Sequence, residues 1–133
     1  MEITDFLLSD YASVDNNGKF TLVGAGFTEI AAKQIPFVHP MMYVFIRLSV
    51  TQKDVGQNRL GLLIIGEKGP IFNAEMNVNV KGHNKSLKYV PITSQIANLK
   101  FDHPGEYDIE LRINGNINKC QTLLIKQIQN KKT

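Results

Sequence analysis

The sequence has only one cysteine, Cys120, among its 133 residues, which excludes a disulfide bond within the chain. The fold is therefore not expected to require an oxidising compartment. No stretch approaches the ~20 consecutive apolar residues of a membrane-spanning helix. The opening ten residues carry acids where a secretory signal would carry basic side chains. These absences favour a cytoplasmic protein that has no membrane association.

The sequence motifs of several large enzyme classes are also missing. There is no G-x-S-x-G, no phosphate-binding P-loop, no H-E-x-x-H and no C-x-x-C. The histidines, His39, His83 and His103, lie in separate predicted loops and lack the short paired spacing of metal ligands. Cys120 has no histidine nearby in sequence that could activate it as a nucleophile. The sequence therefore predicts a protein that is not an enzyme, with no catalytic residues, no metal site and no cofactor.

The charge of the chain is mildly basic, with a formal net charge of +3 at pH 7. Part of the excess lies in a predicted loop that contains Lys81, His83, Lys85 and Lys88, and we interpret this basic loop as a candidate binding element. A nucleic-acid-binding face needs a larger cluster of basic side chains with interleaved aromatic residues. Nucleic acid is therefore not the expected partner.

The clearest structural signal is a turn, a strand and a second turn between residues 102 and 116. Pro104-Gly105 predicts a tight turn, because proline presets φ and glycine allows a positive φ. Asn114-Gly115 predicts a two-residue hairpin turn. Between the turns, apolar side chains alternate with charged ones: Tyr107, Ile109, Leu111 and Ile113 with Glu106, Asp108, Glu110 and Arg112. This period of two predicts an antiparallel strand with one face on a core.

Similar short segments recur along the chain, and none has the periodicity of a long helix. The predicted strands are 3–14, 19–30, 41–50, 60–65, 71–80, 89–101 and the two arms of a hairpin over 107–128. Seven or eight strands separated by regular turns predict an all-β protein, folded as a single antiparallel β-sandwich or small barrel. A short helical turn is expected within 51–58. The predicted domain spans residues 1–128, followed by a flexible basic tail over 129–133.

Two aromatic side chains, Tyr43 and Phe45, are predicted on the outer face of the strand 41–50. Outward aromatic residues form protein interfaces, or they lie beneath a loop such as 31–40, and both interpretations stay open. Gly24 and Gly26 fall inside a predicted strand, where glycine marks a bulge or the close approach of another backbone. We therefore assign a candidate binding role to the two aromatic residues and a structural role to the two glycines.

The missing catalytic motifs and the outward aromatic residues favour a non-enzymatic binding or adaptor domain. It is expected to act through protein contacts, including self-association as a homodimer. The alternative is a domain that senses or sequesters a nucleotide or a sugar in loops such as 31–40 and 81–88. The expected partner is accordingly an unidentified protein, a second copy of the chain or a small ligand.

Three motifs lie towards the two ends of the chain. Residues 7–14 fit L-L-x-D-x-A-x-V, residues 18–27 fit G-K-x-x-x-x-G-x-G-(W/F), and residues 104–115 fit P-G-x-Y-x-x-x-L-x-x-(D/N)-G. With these motifs the chain resembles an uncharacterised family of small bacterial and phage-associated proteins. The resemblance implies an immunoglobulin-like β-sandwich and carries no assigned activity, so it transfers no functional residue. Gly105 and Tyr107 also fit the pattern of a tyrosine corner, and we assign them a structural role.

Overall fold

The computed structural model describes residues 1–129, which form an all-β structure without an α-helix in that range. Its strands are β1 Glu2–Ser9, β2 Tyr11–Val14, β3 Phe20–Val23, β4 Glu29–Ala32, β5 Phe37–Val50, β6 Gly56–Gly66, β7 Gly69–Val80, β8 Lys88–Phe101, β9 Gly105–Ile113 and β10 Asn116–Gln127. A 3₁₀ helix, Gln52–Asp54, separates β5 from β6. No helix of the described range has the length and apolar character needed to cross a membrane. The predicted tail 129–133 lies outside the described residues, except for Gln129.

The ten observed strands exceed the predicted seven or eight because two of the predicted strands are each divided. Segment 3–14 is divided at Asp10 into β1 and β2, and segment 19–30 is divided into β3 and β4. Gly24 and Gly26 lie in the second break, with φ angles of +61° and +86°. A positive φ takes the backbone out of the extended conformation, so the chain leaves the ladder at these glycines.

The strands form three sheets. One has the order β1-β5-β8, a second has the order β4-β10-β9-β6-β7, and the third is the hairpin β2-β3. Strand β4 pairs in parallel with β10, so the second sheet is mixed. The predicted antiparallel arrangement is confirmed for the other strand pairs of residues 1–129 and is wrong for this pair. Hairpin turns join only antiparallel neighbours, whereas β4 and β10 come from distant parts of the chain and are not joined by a turn.

One hydrophobic core joins the two larger sheets, which curl as a half-barrel. The predicted alternation of 41–50 and 107–113 is confirmed, since alternate side chains of β5 and β9 enter this core. These core residues are Met42, Val44, Ile46, Leu48 and Val50 of β5 and Tyr107, Ile109 and Leu111 of β9. Because a shift of one residue would expose the whole set, burial determines the register of both strands.

The turn Asn114-Gly115 between β9 and β10 has the predicted hairpin geometry. Both residues have a positive φ, +50° for Asn114 and +87° for Gly115, as a type I′ turn requires. The Asn114 amide donates to the Arg59 carbonyl over 2.8 Å. The Arg59 amide in turn donates to the Asn114 side-chain oxygen over 2.9 Å. The turn is therefore attached to the neighbouring strand β6.

The helical turn predicted within 51–58 is confirmed by the 3₁₀ helix. Thr51 caps it, because its hydroxyl accepts a hydrogen bond from the Lys53 amide over 3.3 Å. The Asp54 carboxylate accepts one from the Thr51 amide over 2.8 Å. These two bonds form a capping box, which satisfies amide groups at the point where the chain passes from β5 to β6.

Candidate protein-interaction face

The outer face of β5 carries Tyr43 and Phe45, but the hairpin β2-β3 lies against it. The rings of Tyr11 and Tyr43 meet edge to face with their centroids 5.3 Å apart, and the rings of Phe20 and Phe45 are 4.4 Å apart. Phe45 is only 1% exposed as a result. Of the two interpretations of these aromatic residues, burial beneath another segment therefore applies to Phe45. The covering segment is the hairpin, not the loop 31–40.

The sequence of the hairpin explains why it forms. The Asp15 carboxylate accepts hydrogen bonds from the Asn17 amide over 2.8 Å and from the Lys19 amide over 2.9 Å, which stabilises the turn between β2 and β3. Gly18 supplies the positive φ of that turn. At the other end, the Gly26 amide donates to the Leu8 carbonyl over 2.8 Å. The hairpin is thus closed at its tip and attached to β1 at its base.

The hairpin β2-β3, which lies against β5, carries exposed aromatic side chains of its own. Tyr11 is 46% exposed and Phe20 is 43% exposed, although each packs against an aromatic ring of β5. Tyr89, on the neighbouring strand β8, is 51% exposed. Together with the half-buried Tyr43, these residues follow the length of β5, and we call Tyr11, Phe20, Tyr43 and Tyr89 the aromatic row.

Arg47 supports the end of the aromatic row at Tyr89. Its guanidinium carbon lies 5.0 Å from the centre of the Tyr89 ring, within the range of a cation–π interaction. Its Nε atom donates to the Asp5 carboxylate over 2.6 Å, which restricts the orientation of the guanidinium. The ring of Tyr89 is therefore held beside Arg47, although about half of the residue stays exposed.

The basic loop, which contains Lys81, His83, Lys85 and Lys88, leads directly into the aromatic row. The His83 Nε2 atom lies 3.3 Å from the Thr51 carbonyl oxygen, which attaches the loop beside the 3₁₀ helix. Lys81 and Lys85 are exposed, and Lys88 is the first residue of β8, immediately before Tyr89. Tyr89 directly follows the basic loop in sequence, and the pairing of β8 with β5 places it beside Arg47.

Sequence reasoning did not single out Tyr11, Phe20 or Tyr89 as binding residues. Their exposure depends on a hairpin folding back over a sheet and on the pairing of β8 with β5, and neither event has a local signature. The sequence contains one weak signal for Tyr11. This residue belongs to the apolar residues of the predicted strand 3–14 and lies close to the polar turn 15–18, where strand ends are often exposed.

Gly105 and Tyr107 lie at the start of β9, where the sequence predicts a tyrosine corner. Gly105 has a φ of +121°, and the Tyr107 hydroxyl donates to the His103 carbonyl over 2.6 Å. Burial raises the pKa of Tyr107, and the charges of Asp102 and Glu67 act in the same direction. The hydroxyl therefore stays protonated and serves as a structural donor.

A small cavity lies at this end of the molecule, between the turn 66–71 and the segment 102–107. Its volume is about 190 Å³, below the range of about 300–1,000 Å³ that is usual for ligand pockets. Its charged lining is mainly acidic, with Glu67, Asp102 and Glu106. The loops 31–40 and 81–88, which are the predicted ligand loops, do not line it.

Cys120 and Ser9 are both poorly placed for nucleophilic catalysis. Partial burial raises the pKa of Cys120, and the carboxylates of Asp108 and Glu110 raise it further. A reactive cysteine requires the opposite shift. The Ser9 hydroxyl is buried and has no hydrogen-bond partner, so nothing activates it. Within residues 1–129, no group of three His, Cys, Asp or Glu side chains is arranged to hold a metal ion.

The partial burial of His39 predicts that the stability of this fold depends on pH. Burial lowers the pKa of His39, and the charge of Asp10 and the backbone contact with Met41 oppose this only in part. The unfolded chain, with a histidine pKa of about 6.5, therefore binds a proton before the folded chain does. We expect the free energy of unfolding to be unaffected by His39 well above pH 6.5 and to fall as the pH decreases towards the folded-state pKa.

Urea denaturation at a series of pH values between about 8 and 5 measures this effect. The variant His39→Gln should lose the part of the pH dependence that lies below the usual histidine pKa. A variant of the exposed His103, His103→Gln, is the matched control and should keep it. An identical pH profile for wild type and His39→Gln would contradict the prediction.

These observations define the chain as an all-β structure with a partly exposed aromatic row. The chain belongs to a family of unknown function, DUF6941, whose model matches residues 4–126. This agrees with the predicted resemblance to an uncharacterised family. A comparison with curated proteins finds no match.

Proposed function

We propose that this chain is a non-enzymatic binding domain that contacts a protein partner through the aromatic row. The main observation behind the proposal is that Tyr11, Phe20 and Tyr89 stay exposed while each packs against an outer-face side chain of β5. Tyrosine and arginine are enriched among the residues that dominate binding energy. Here the tyrosine rings are also supported from below, by Tyr43 and Arg47. Such support reduces the conformational entropy that these side chains lose on binding.

The partner in this proposal is another protein or a second copy of the chain. A homodimer would place the same aromatic row on both sides of a two-fold axis, since such an interface is self-complementary. The basic loop lies at the Tyr89 end of the row and would favour a partner with acidic residues at the corresponding position. A cytoplasmic location is part of the proposal and agrees with a chain that has a single cysteine.

An immunoglobulin-like fold is also part of the proposal, and the strand order supports it. Immunoglobulin domains pack strands A, B and E against strands G, F, C and C′. The sheet β1-β5-β8 corresponds to A-B-E, and the strands β10-β9-β6-β7 correspond to G-F-C-C′. In this comparison β2, β3 and β4 have no lettered counterpart. The Tyr107 hydroxyl bond to His103 is the contact of a tyrosine corner. The bacterial or phage origin suggested by the sequence motifs is kept as part of the same proposal.

The raised pKa of Cys120 and the unactivated Ser9 hydroxyl support the non-enzymatic part of the proposal. The alternative, a domain that senses or sequesters a nucleotide or a sugar, has weaker support. The cavity of about 190 Å³ beside Tyr107 is small for either ligand, and its carboxylates outnumber its one lysine, Lys68, which disfavours phosphate groups.

The double variant Tyr11→Ser/Tyr89→Ser tests the aromatic row. We expect it to lower the affinity for the protein partner by about 10- to 30-fold, because truncation of central aromatic residues commonly removes about 2 kcal/mol of binding energy. The measurement is affinity capture with wild type and variant as baits. Each protein that the variant loses is then purified and titrated against both forms. Light scattering on the size-exclusion eluate measures self-association of the same two samples.

Ile117→Ser is the matched control, since Ile117 is 58% exposed but belongs to β10 of the other large sheet. It should leave every interaction unchanged. The proposal is wrong if the wild type is strictly monomeric and no captured protein binds the double variant more weakly than the wild type.

A further inference from the structure

The outer edge of β8 is open within the described part of the chain. This strand lies at the end of the sheet β1-β5-β8 and pairs only with β5. The β5 residues Val44, Ile46 and Leu48 are at most 1% exposed. Their register partners on β8 are all half-buried: Ser94, Ile92 and Val90. The difference arises because β5 has a neighbour on both sides, whereas β8 has a neighbour on one.

Pro91 indicates which backbone groups of β8 point to the open side. Proline has no N–H, so within a sheet it is tolerated on an edge strand where that group would face away from the neighbour. Backbone orientation alternates along a strand, so the N–H and C=O groups of Thr93 and Gln95 also point outward. Asn98 has a φ of +54°, which ends the regular strand geometry on the other side. The open window is therefore Thr93–Ala97.

The charged side chains in the sequence around this window are all positive. Between residues 76 and 101 the chain has Lys81, Lys85, Lys88 and Lys100 and no acidic residue. Lys100 lies 3.5 Å from the Asp102 carboxylate, so it is partly neutralised. At the opposite end of β8, the ion pairs among residues 1–129 include none to Lys85 or Lys88. An occupant that brings carboxylates to Lys85 and Lys88 is favoured by charge complementarity.

We infer that the edge of β8 binds an extended segment of a partner protein as a fourth strand of this sheet. The backbone of that segment bonds to Thr93–Ala97, and its acidic residues lie against Lys85 and Lys88. The inference rests on the proposed function and specifies the chemistry of the partner. A second copy of β8 is a poorer occupant, because antiparallel pairing centred on Ser94 brings Lys88 opposite Lys100 of the other copy.

A displayed library of short random peptides, selected against the whole chain, tests the inference without a known partner. We expect the enriched peptides to contain alternating β-branched residues with Asp or Glu clustered at one end. Synthetic copies of these peptides are then titrated by fluorescence anisotropy. Thr93→Pro should weaken their binding about tenfold, since it removes an outward N–H and disturbs the neighbouring contact. Thr93→Val keeps the N–H and should bind like the wild type.

The charge reversal Lys88→Glu provides a second test that does not alter the backbone. It should lower the affinity for the acidic peptides and reduce the salt dependence of their binding. The inference is overturned if the selection enriches no acidic peptides, or if the peptides bind Thr93→Pro and Lys88→Glu as tightly as the wild type. It is also overturned if the chain forms a concentration-dependent dimer that Thr93→Pro dissociates. If only the double variant Tyr11→Ser/Tyr89→Ser weakens peptide binding, the inference is wrong and the proposed function is still supported.

Discussion

Phe45→Ala is expected to lower the free energy of unfolding by about 3–5 kcal/mol, the usual range for removing a buried phenylalanine ring. The ring is 1% exposed and packs against Phe20 of the hairpin. The truncation therefore leaves a cavity between the hairpin and the sheet. Urea denaturation measures the loss, and hydrogen exchange of the β2 and β3 amides should accelerate more than exchange in β9.

Tyr43→Ala is the control on the same face of β5. Tyr43 is half-buried and packs edge to face on Tyr11, so its truncation should cost clearly less than that of Phe45. A loss below about 1 kcal/mol for Phe45→Ala, smaller than nearly all measured phenylalanine truncations in cores, would show that the hairpin does not pack on β5. The aromatic row as described would then not exist.

Gly24→Ala is expected to destabilise the fold by about 1–3 kcal/mol through its backbone conformation alone. Gly24 has a φ of +61°, and an added Cβ would also overlap the Asp10 carboxylate, with the Asp10 Cγ atom only 2.8 Å away. Gly26 has a φ of +86° and no atom within 4 Å of the same position. Gly26→Ala therefore measures the backbone cost without the overlap. Thermal and urea unfolding of both variants should place Gly24→Ala below Gly26→Ala in stability.

The difference between these two glycine variants should depend on Asp10. In an Asp10→Ala background, Gly24→Ala should cost about as much as Gly26→Ala, because the carboxylate no longer occupies the space. A difference between the two glycine variants that persists without the Asp10 side chain would contradict this explanation. Equal costs in the wild-type background would also contradict it.

The parts of the fold that depend on nearby residues could be predicted from the sequence. The alternation of β9 and the turn Asn114-Gly115 follow from side-chain period and from turn chemistry, which act within a few residues. The division of segment 19–30 was missed although Gly24 and Gly26 were noted. Glycine in a strand pattern is compatible with a bulge or with a complete break, and the sequence alone does not separate the two.

The parts that depend on distant residues could not be predicted. The outward direction of Tyr43 and Phe45 follows from alternation, but the burial of Phe45 requires the hairpin to fold back over β5. The parallel pairing of β4 with β10 joins segments that share no local pattern. Tyr89 joins the aromatic row only because β8 pairs with β5 in one register, which places it next to Arg47.

The parallel pairing of β4 with β10 also has a consequence for synthesis of the chain. Residues 29–32 pair with residues 124–127, which lie 95 positions further along the chain. A nascent chain therefore cannot complete its second sheet until residues 124–127 have been translated. Native contacts between such distant segments slow folding, as is usual for all-β proteins. Until then the edge of β4 has no partner strand, and an unpaired strand edge makes the growing chain prone to aggregation.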